Sequence, residues 1–161
     1  MQTTYSSTIK RSLMSPFLEI WECAVTHNKS IHTTLDLEPG QVITNFRLKE
    51  VLTEPDYLTI QVGEDQHSMV DPLFLHFTNH SCNPNVVCDI QNLQFIAIKP
   101  IAKEEELTWF YPSTEWNMNQ PFNCICQSGN CLGYIQGSAH LSTSILTQYQ
   151  LSDFIKTKLA I

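Results

Sequence analysis

The stretch "CICQSGNC" puts three thiols, Cys124, Cys126 and Cys131, within eight residues, and Gly129 and Gly133 let the backbone fold back around a centre. The other cysteines are Cys23, Cys82 and Cys88. The opening residues carry no apolar core of the length a secretory signal needs, so a disulfide framework is not expected. The cluster reads instead as a set of metal ligands. A structural zinc takes four ligands in a tetrahedron, with thiolates at about 2.3 Å. One tight loop supplies three, so the fourth comes from elsewhere: Cys82, Cys88, Cys23 and the histidines are candidates. Cys82 stands out because Asn83 and Pro84 turn the chain just after it. Such a centre ties two distant segments together, and zinc binding contributes about 10 to 16 kcal/mol in small domains. The bland reading is a loop of reduced thiols. A nucleophilic cysteine is disfavoured, since no thiol of the cluster stands apart beside an evident base.

That second segment is unusual in itself. In "HFTNHSCNPNVV", residues 76–87, seven polar or bend-forming residues lie between apolar flanks, so the chain carries them inward. A length of 161 residues suits one domain with a real core. Hydrophobic residues make up 42% and charged residues 16%, with no apolar run of membrane-spanning length, so an intracellular, non-membrane protein is expected. The formal charge of −7 repels phosphates, which argues against direct nucleic acid binding. It attracts a basic partner through salt-sensitive steering, or merely keeps the protein soluble.

Residues 1–16 read as a flexible arm. "FLEIWECAV" (17–25) is strand-like, and "SIHTTLDLEPGQVITNF" reads as two short strands around a turn at Glu38-Pro39-Gly40. "DYLTIQV", "HSMV", "LQFIAIKPI" and "ELTWFY" are further strands. "DPLFLHFTN" opens with Asp71 as N-cap and Pro72 at the first helical position, predicting one or two helical turns. Leu151, Phe154, Ile155 and Leu159 stand at helical spacing and predict a closing helix. Many short strands and few helices predict a small, mostly β domain.

"NHSCNPN", "ELTWFY" and "FNCICQSGNCLGYIQG", in that order, resemble the SET domain and its post-SET segment, from the family of protein-lysine methyltransferases that use S-adenosylmethionine. The likeness runs from about Ser30 to Gly137. It implies a fold of small sheets with a knot-like crossing, short helices and a C-terminal helix. The domains would be a SET domain over 17–119, a post-SET zinc segment over 120–137 and a helical extension over 138–161. It further implies that Asn79 and His80 contact the cofactor together with Lys29, Ser30, Ile31, Tyr111 and Phe122. Cys82 would be the fourth zinc ligand beside Cys124, Cys126 and Cys131. Tyr111 matches the catalytic tyrosine, and Trp109 and Phe46 match positions of the substrate channel. Each has a plainer reading: His80 as a satisfied core histidine, Tyr111 as a strand aromatic, Phe122 as a core residue. The implied activity is N-methylation of a lysine side chain on a protein or peptide, with one structural zinc.

The chain departs from the pattern in places. Asn28-Lys29-Ser30 replaces a glycine-x-glycine cofactor loop, and Phe46 stands for a channel tyrosine. Asn45 stands for a glutamate, Phe110 for an aspartate before the catalytic tyrosine, and Glu104 for a turn glycine. The short stretch from Phe46 to Asp71 implies a shallow substrate groove. The altered loop and Phe46 favour an alternative, a catalytically silent SET-like module that binds a protein partner. Tyr111, Asn79, His80 and the complete cysteine set favour the enzyme.

Overall fold

The computed structural model describes residues 9–161. The chain opens with β1 (Ile9–Ser15), β2 (Leu18–Cys23) and β3 (Lys29–Thr33), an antiparallel sheet in that order. β1 corrects the expected arm: residues 9–15 are a strand, and only residues 1–8 lie outside the described part. Its alternation is masked by polar residues, because one face stays wet. Pairing holds it: Arg11 lies opposite Trp21, its guanidinium 3.9 Å from the ring centre, and bonds Glu104 at 2.6 Å.

After β3 the chain turns at Gly40, whose φ of 85° suits glycine, into β4 (Val42–Asn45). β4 joins not β3 but a second sheet. Next come β5 (Arg47–Leu52), β6 (Thr59–Gly63) and β7 (Gln66–Asp71), which form a third, in the order β5-β7-β6. A 3-10 turn over Leu73–Phe77 follows, with Pro72 rather than Asp71 at its N-cap and no side-chain capping bond. This replaces the Asp-capped helical turn expected there.

β8 (Asn79–His80), β9 (Val86–Asp89), β10 (Gln94–Ala97) and β11 (Thr108–Trp109) come next. The second sheet is ordered β4-β10-β9. β8 and β11 pair in parallel, Asn79 with Thr108 and His80 with Trp109. On its other side the β11 segment reaches β3: Leu107 N–H donates to Ile31 O at 2.8 Å, and His32 bridges to Glu106. Two distant segments are thus laid side by side through the middle of the domain, which is the crossing expected. Asn85, 3% exposed, fastens it. Its side chain donates to Glu106 O (2.8 Å) and Glu105 Oε1 (3.1 Å) and accepts from Thr108 N–H (2.8 Å). The main core lies beneath, built from residues such as Leu18, Ile31, Ile43, Phe46, Phe95 and Trp109.

The strand expected through Tyr111 stops at Trp109, and Tyr111–Ser113 form a 3-10 turn containing Pro112. β12 (Phe122–Asn123) and β13 (Tyr134–Ile135) pair antiparallel at the base of the cysteine loop. The single closing helix is instead two: α1 (Thr143–Leu146) and α2 (Asp153–Leu159), the second capped by Ser152 accepting from Ile155 N–H. The intervening Tyr149–Leu151 segment breaks the helical period and packs inward. Leu146, Leu151 and Ile155 form a second core with Phe110. No helix among the described residues is long and apolar enough to cross a membrane.

Candidate active site and metal centre

Cys82, directly after β8, meets Cys124, Cys126 and Cys131, and the four sulfurs lie within 4.8 Å of one another. A tetrahedron of thiolates at about 2.3 Å from a zinc has edges of about 3.8 Å, and Cys82 and Cys124 Sγ are 3.9 Å apart. The residues therefore fit a tetrahedral thiophilic ion. Burial pushes the Cys82 thiol well up, and it lifts Cys124 to about 11. Burial also resists ionisation of Cys126, but hydrogen bonds from Ser128 and backbone groups bring it down to about 5. One bound dication would favour the thiolate form of sulfurs packed this closely. Leu132 N–H donates to Cys82 Sγ (3.4 Å), and the Cys82 carbonyl accepts from Asn130 Nδ2 (2.7 Å) and Tyr149 Oη (2.8 Å). Cys88 is buried in the main core, and Cys23 belongs to the outer sheet; neither joins the cluster.

His80 links this centre to Tyr111. Its Nδ1 accepts from Tyr111 N–H (3.2 Å), so the neutral ring carries its proton on Nε2, facing Cys82 Sγ at 3.4 Å. Burial lowers its pKa to about 4, which keeps the ring neutral. The plain reading of His80 as a satisfied histidine thus holds for its side chain, and both of its partners belong to the site. The Tyr111 hydroxyl donates to the Thr78 carbonyl at 3.0 Å. Burial, then the charges of Glu106 and Glu115, push its pKa up, so it stays protonated.

Tyr111 opens on a cavity of about 720 Å³ with a largely apolar wall that includes Phe74, Phe95, Trp109 and Phe122. Trp109 stands where the channel was expected, its indole N–H also bonded to Thr78 O (3.3 Å). Phe46 does not: it is 3% exposed, behind the wall, its ring edge-on to Phe95 at 5.6 Å. β4 ends at the exposed Asn45, Phe46 then turns into the core, and Phe95 on the paired β10 lines the cavity. Nor is the groove shallow, because residues 55–60, leading into β6, raise one wall.

Asn79 meets the Lys29 backbone, and the Phe122 ring lies edge-on to His80 and Tyr111. Asn79 Nδ2 donates to Lys29 O (3.1 Å) and Glu106 Oε1 (2.8 Å). The Lys29 ammonium lies instead 3.8 Å from Glu22 Oε2 and over the Phe77 ring at 4.9 Å. Ile31 is 1% exposed in the core, and its carbonyl accepts from Leu107 N–H. Ser30 Oγ is held by His32 Nε2 at 2.9 Å. The loop dispenses with glycine because its positive φ, 58°, falls on His27, a residue type that tolerates it. Glu104 takes the expected glycine position at φ 68°. Sequence reasoning missed Phe95, Thr78 and Glu115, all in the cavity wall. They lie outside the short motifs and carry no local signal.

A family model for the SET domain matches residues 14–112. The chain belongs to the SET-domain family. Methyltransferase flvH of Aspergillus flavus is 34% identical over 147 residues, 89% of this chain and 81% of that one. The H3 lysine-36 specific histone-lysine N-methyltransferase of Saccharomyces cerevisiae is 27% identical over 128 residues. That match takes 71% of this chain but only 17% of the yeast protein. Among solved structures, the methyltransferase domain of human histone-lysine N-methyltransferase SETMAR superposes with a TM-score of 0.50 at 16% identity. It covers 68% of this chain and 54% of that one, and shows a shared fold. By family and by its relatives, the chain is a methyltransferase.

Proposed function

We propose that the chain transfers a methyl group from S-adenosylmethionine to the side-chain amine of a lysine in a protein or peptide, with a zinc at Cys82, Cys124, Cys126 and Cys131. The observation that carries this reading is the Tyr111 hydroxyl, fixed on the Thr78 carbonyl at the wall of an apolar cavity beside Asn79 and His80. When bound, the cofactor supplies an electrophilic sulfonium methyl. An amine attacks only when neutral and in line. The apolar wall of Phe74, Phe95 and Trp109 disfavours an ammonium and so favours the neutral form. Tyr111 and the Thr78 carbonyl, locked to each other, fix polar directions in an otherwise apolar space, so the protein's contribution is mainly positioning. Trp109 limits the width left for a methylated nitrogen. The zinc would hold the cysteine loop against β8, so that Phe122 covers the cofactor side.

The name of the yeast relative makes histone lysines one candidate substrate class, and the net charge of −7 suits any basic acceptor. The glycine-free loop favours the second reading, a SET-like module that binds a partner without turnover. Calorimetric titration of the zinc-loaded chain with S-adenosylmethionine tests the first. Binding near micromolar affinity is expected; none up to millimolar cofactor points to the silent module.

A further inference from the structure

The cavity that receives Tyr111 also receives Glu115, four residues further along the chain. Its Oε1 accepts from the Gln61 backbone N–H (2.8 Å) and from Thr114 Oγ1 (3.0 Å), which fix the carboxyl plane. Gln61 answers with its own side chain, accepting from Trp116 N–H at 2.9 Å, so Glu115 is clamped to β6 from both sides. Oε2 has no protein donor, and no cation pairs with this carboxylate among the described residues. A carboxylate built into an apolar wall without a counter-ion is costly unless something that enters the cavity uses it.

We propose that Glu115 is a catalytic residue, the group that binds the entering substrate ammonium and takes up its proton before methyl transfer. In the step, one N–H bond of the ammonium breaks and an O–H bond forms on Glu115 Oε2, leaving the lone pair on nitrogen. The neutral amine then attacks the sulfonium methyl. The inference rests on the proposed reading of the chain as an amine methyltransferase. Energetics favour this direction: in an apolar cavity two neutral partners cost less than an ammonium and a carboxylate. Burial already pushes Glu115 up to about 7, against the pull of its Gln61 and Thr114 bonds, so it gives and takes a proton near neutrality.

The other charged or titratable groups around it do not substitute. Tyr111 is held protonated by burial, and Cys88 on β9 is likewise pushed up by burial and by Glu115 itself. His76, across the cavity, is lowered by burial and so offers no cation. Asp56 also lines the cavity but is exposed to solvent, its Oδ1 accepting from Leu58 N–H in the turn before β6. Lys158 lies over Trp116 but pairs with Glu64 at 3.0 Å.

The test uses the zinc-loaded full chain with 13C-labelled glutamate carboxyls and n-butylamine, which is as long as a lysine side chain, as probe. In the free protein one carboxyl carbon should titrate near neutrality and vanish in Glu115→Gln. At pH 8, where the free carboxyl is mostly ionised, binding of butylamine should move that carbon to its protonated shift, and Glu115→Gln should weaken amine binding at least tenfold. The same variant should bind S-adenosylmethionine as the parent does. The proposal is overturned if the carboxyl is ionised with amine bound, if butylamine leaves it unmoved, or if Glu115→Gln binds amine as well as the parent. Should Glu115→Gln not fold, the parent titration decides alone. Failure of the parent to bind S-adenosylmethionine would count against the methyltransferase reading and not against the amine contact.

Discussion

Phe110 stands where the family resemblance implies an aspartate, and its ring stacks on Tyr149 at 3.7 Å and 7°. Leu146, Leu151 and Ile155 complete its surroundings, so the C-terminal segment of this chain has made the position apolar. Restoring the aspartate should therefore harm the protein. Phe110→Asp buries an unpaired carboxylate and leaves a cavity, and should cost about 3 to 5 kcal/mol, read from urea midpoints. A neutral result would mean that the second core does not close over Phe110. Residues differ in how far they can be read from sequence for this same reason. Cys82 and Tyr111 stand in short motifs whose spacing survives any change of surroundings. Phe46 was misplaced because it lies between β4 and β5, and the face it takes depends on β4 pairing with β10 across a register shift. Glu115 carries no motif, and only its clamp to β6 reveals it.

At the scale of elements, the crossing of β8 and β11 is two residue pairs long, too short to hold by backbone bonds alone. Asn85 supplies the rest by joining the loop after β8 to both Glu106 and Thr108. Asn85→Ala leaves the Thr108 N–H and Glu106 carbonyl short of partners, and a loss of about 2 to 4 kcal/mol is expected in denaturant unfolding. A loss under about 1 kcal/mol would show that water replaces it. The hydrophobic strands β2, β3 and β10 were legible from composition and alternation. β1 was not, because most of its residues are exposed and its strand state comes from pairing with β2. The split of the closing helix was hidden because Leu151 and Ile155 keep helical spacing although the segment before Ser152 is extended.

Over the whole molecule, three small sheets meet around the crossing. The cysteine loop is held against it by the four thiols, by Asn130 and Leu132 bonding Cys82, and by Phe122 against His80 and Tyr111. β12 and β13 pair over two residues, and the loop itself is mostly irregular. A metal at the Cys82 centre would join residues 120–137 covalently to the segment after β8. Stripping the metal with a chelator should lower the melting midpoint by about 10 °C or more, with one zinc released per chain. An unchanged melt would show that the four thiols serve no metal. The mostly β architecture and the order of its motifs were legible because they are set by sequence order. The depth of the cavity was not, since its walls come from β6, β10 and the turn after β11 at once.

The most direct measurement is methyl transfer from labelled S-adenosylmethionine to lysine-rich acceptors, histones included, by the zinc-loaded chain and by Tyr111→Phe. Label should appear on lysine with the parent chain. The variant should lose about 100-fold or more in turnover while binding the cofactor as before. Undiminished transfer by Tyr111→Phe, or cofactor bound with no label moved to any acceptor, would contradict a methyltransferase centred on Tyr111.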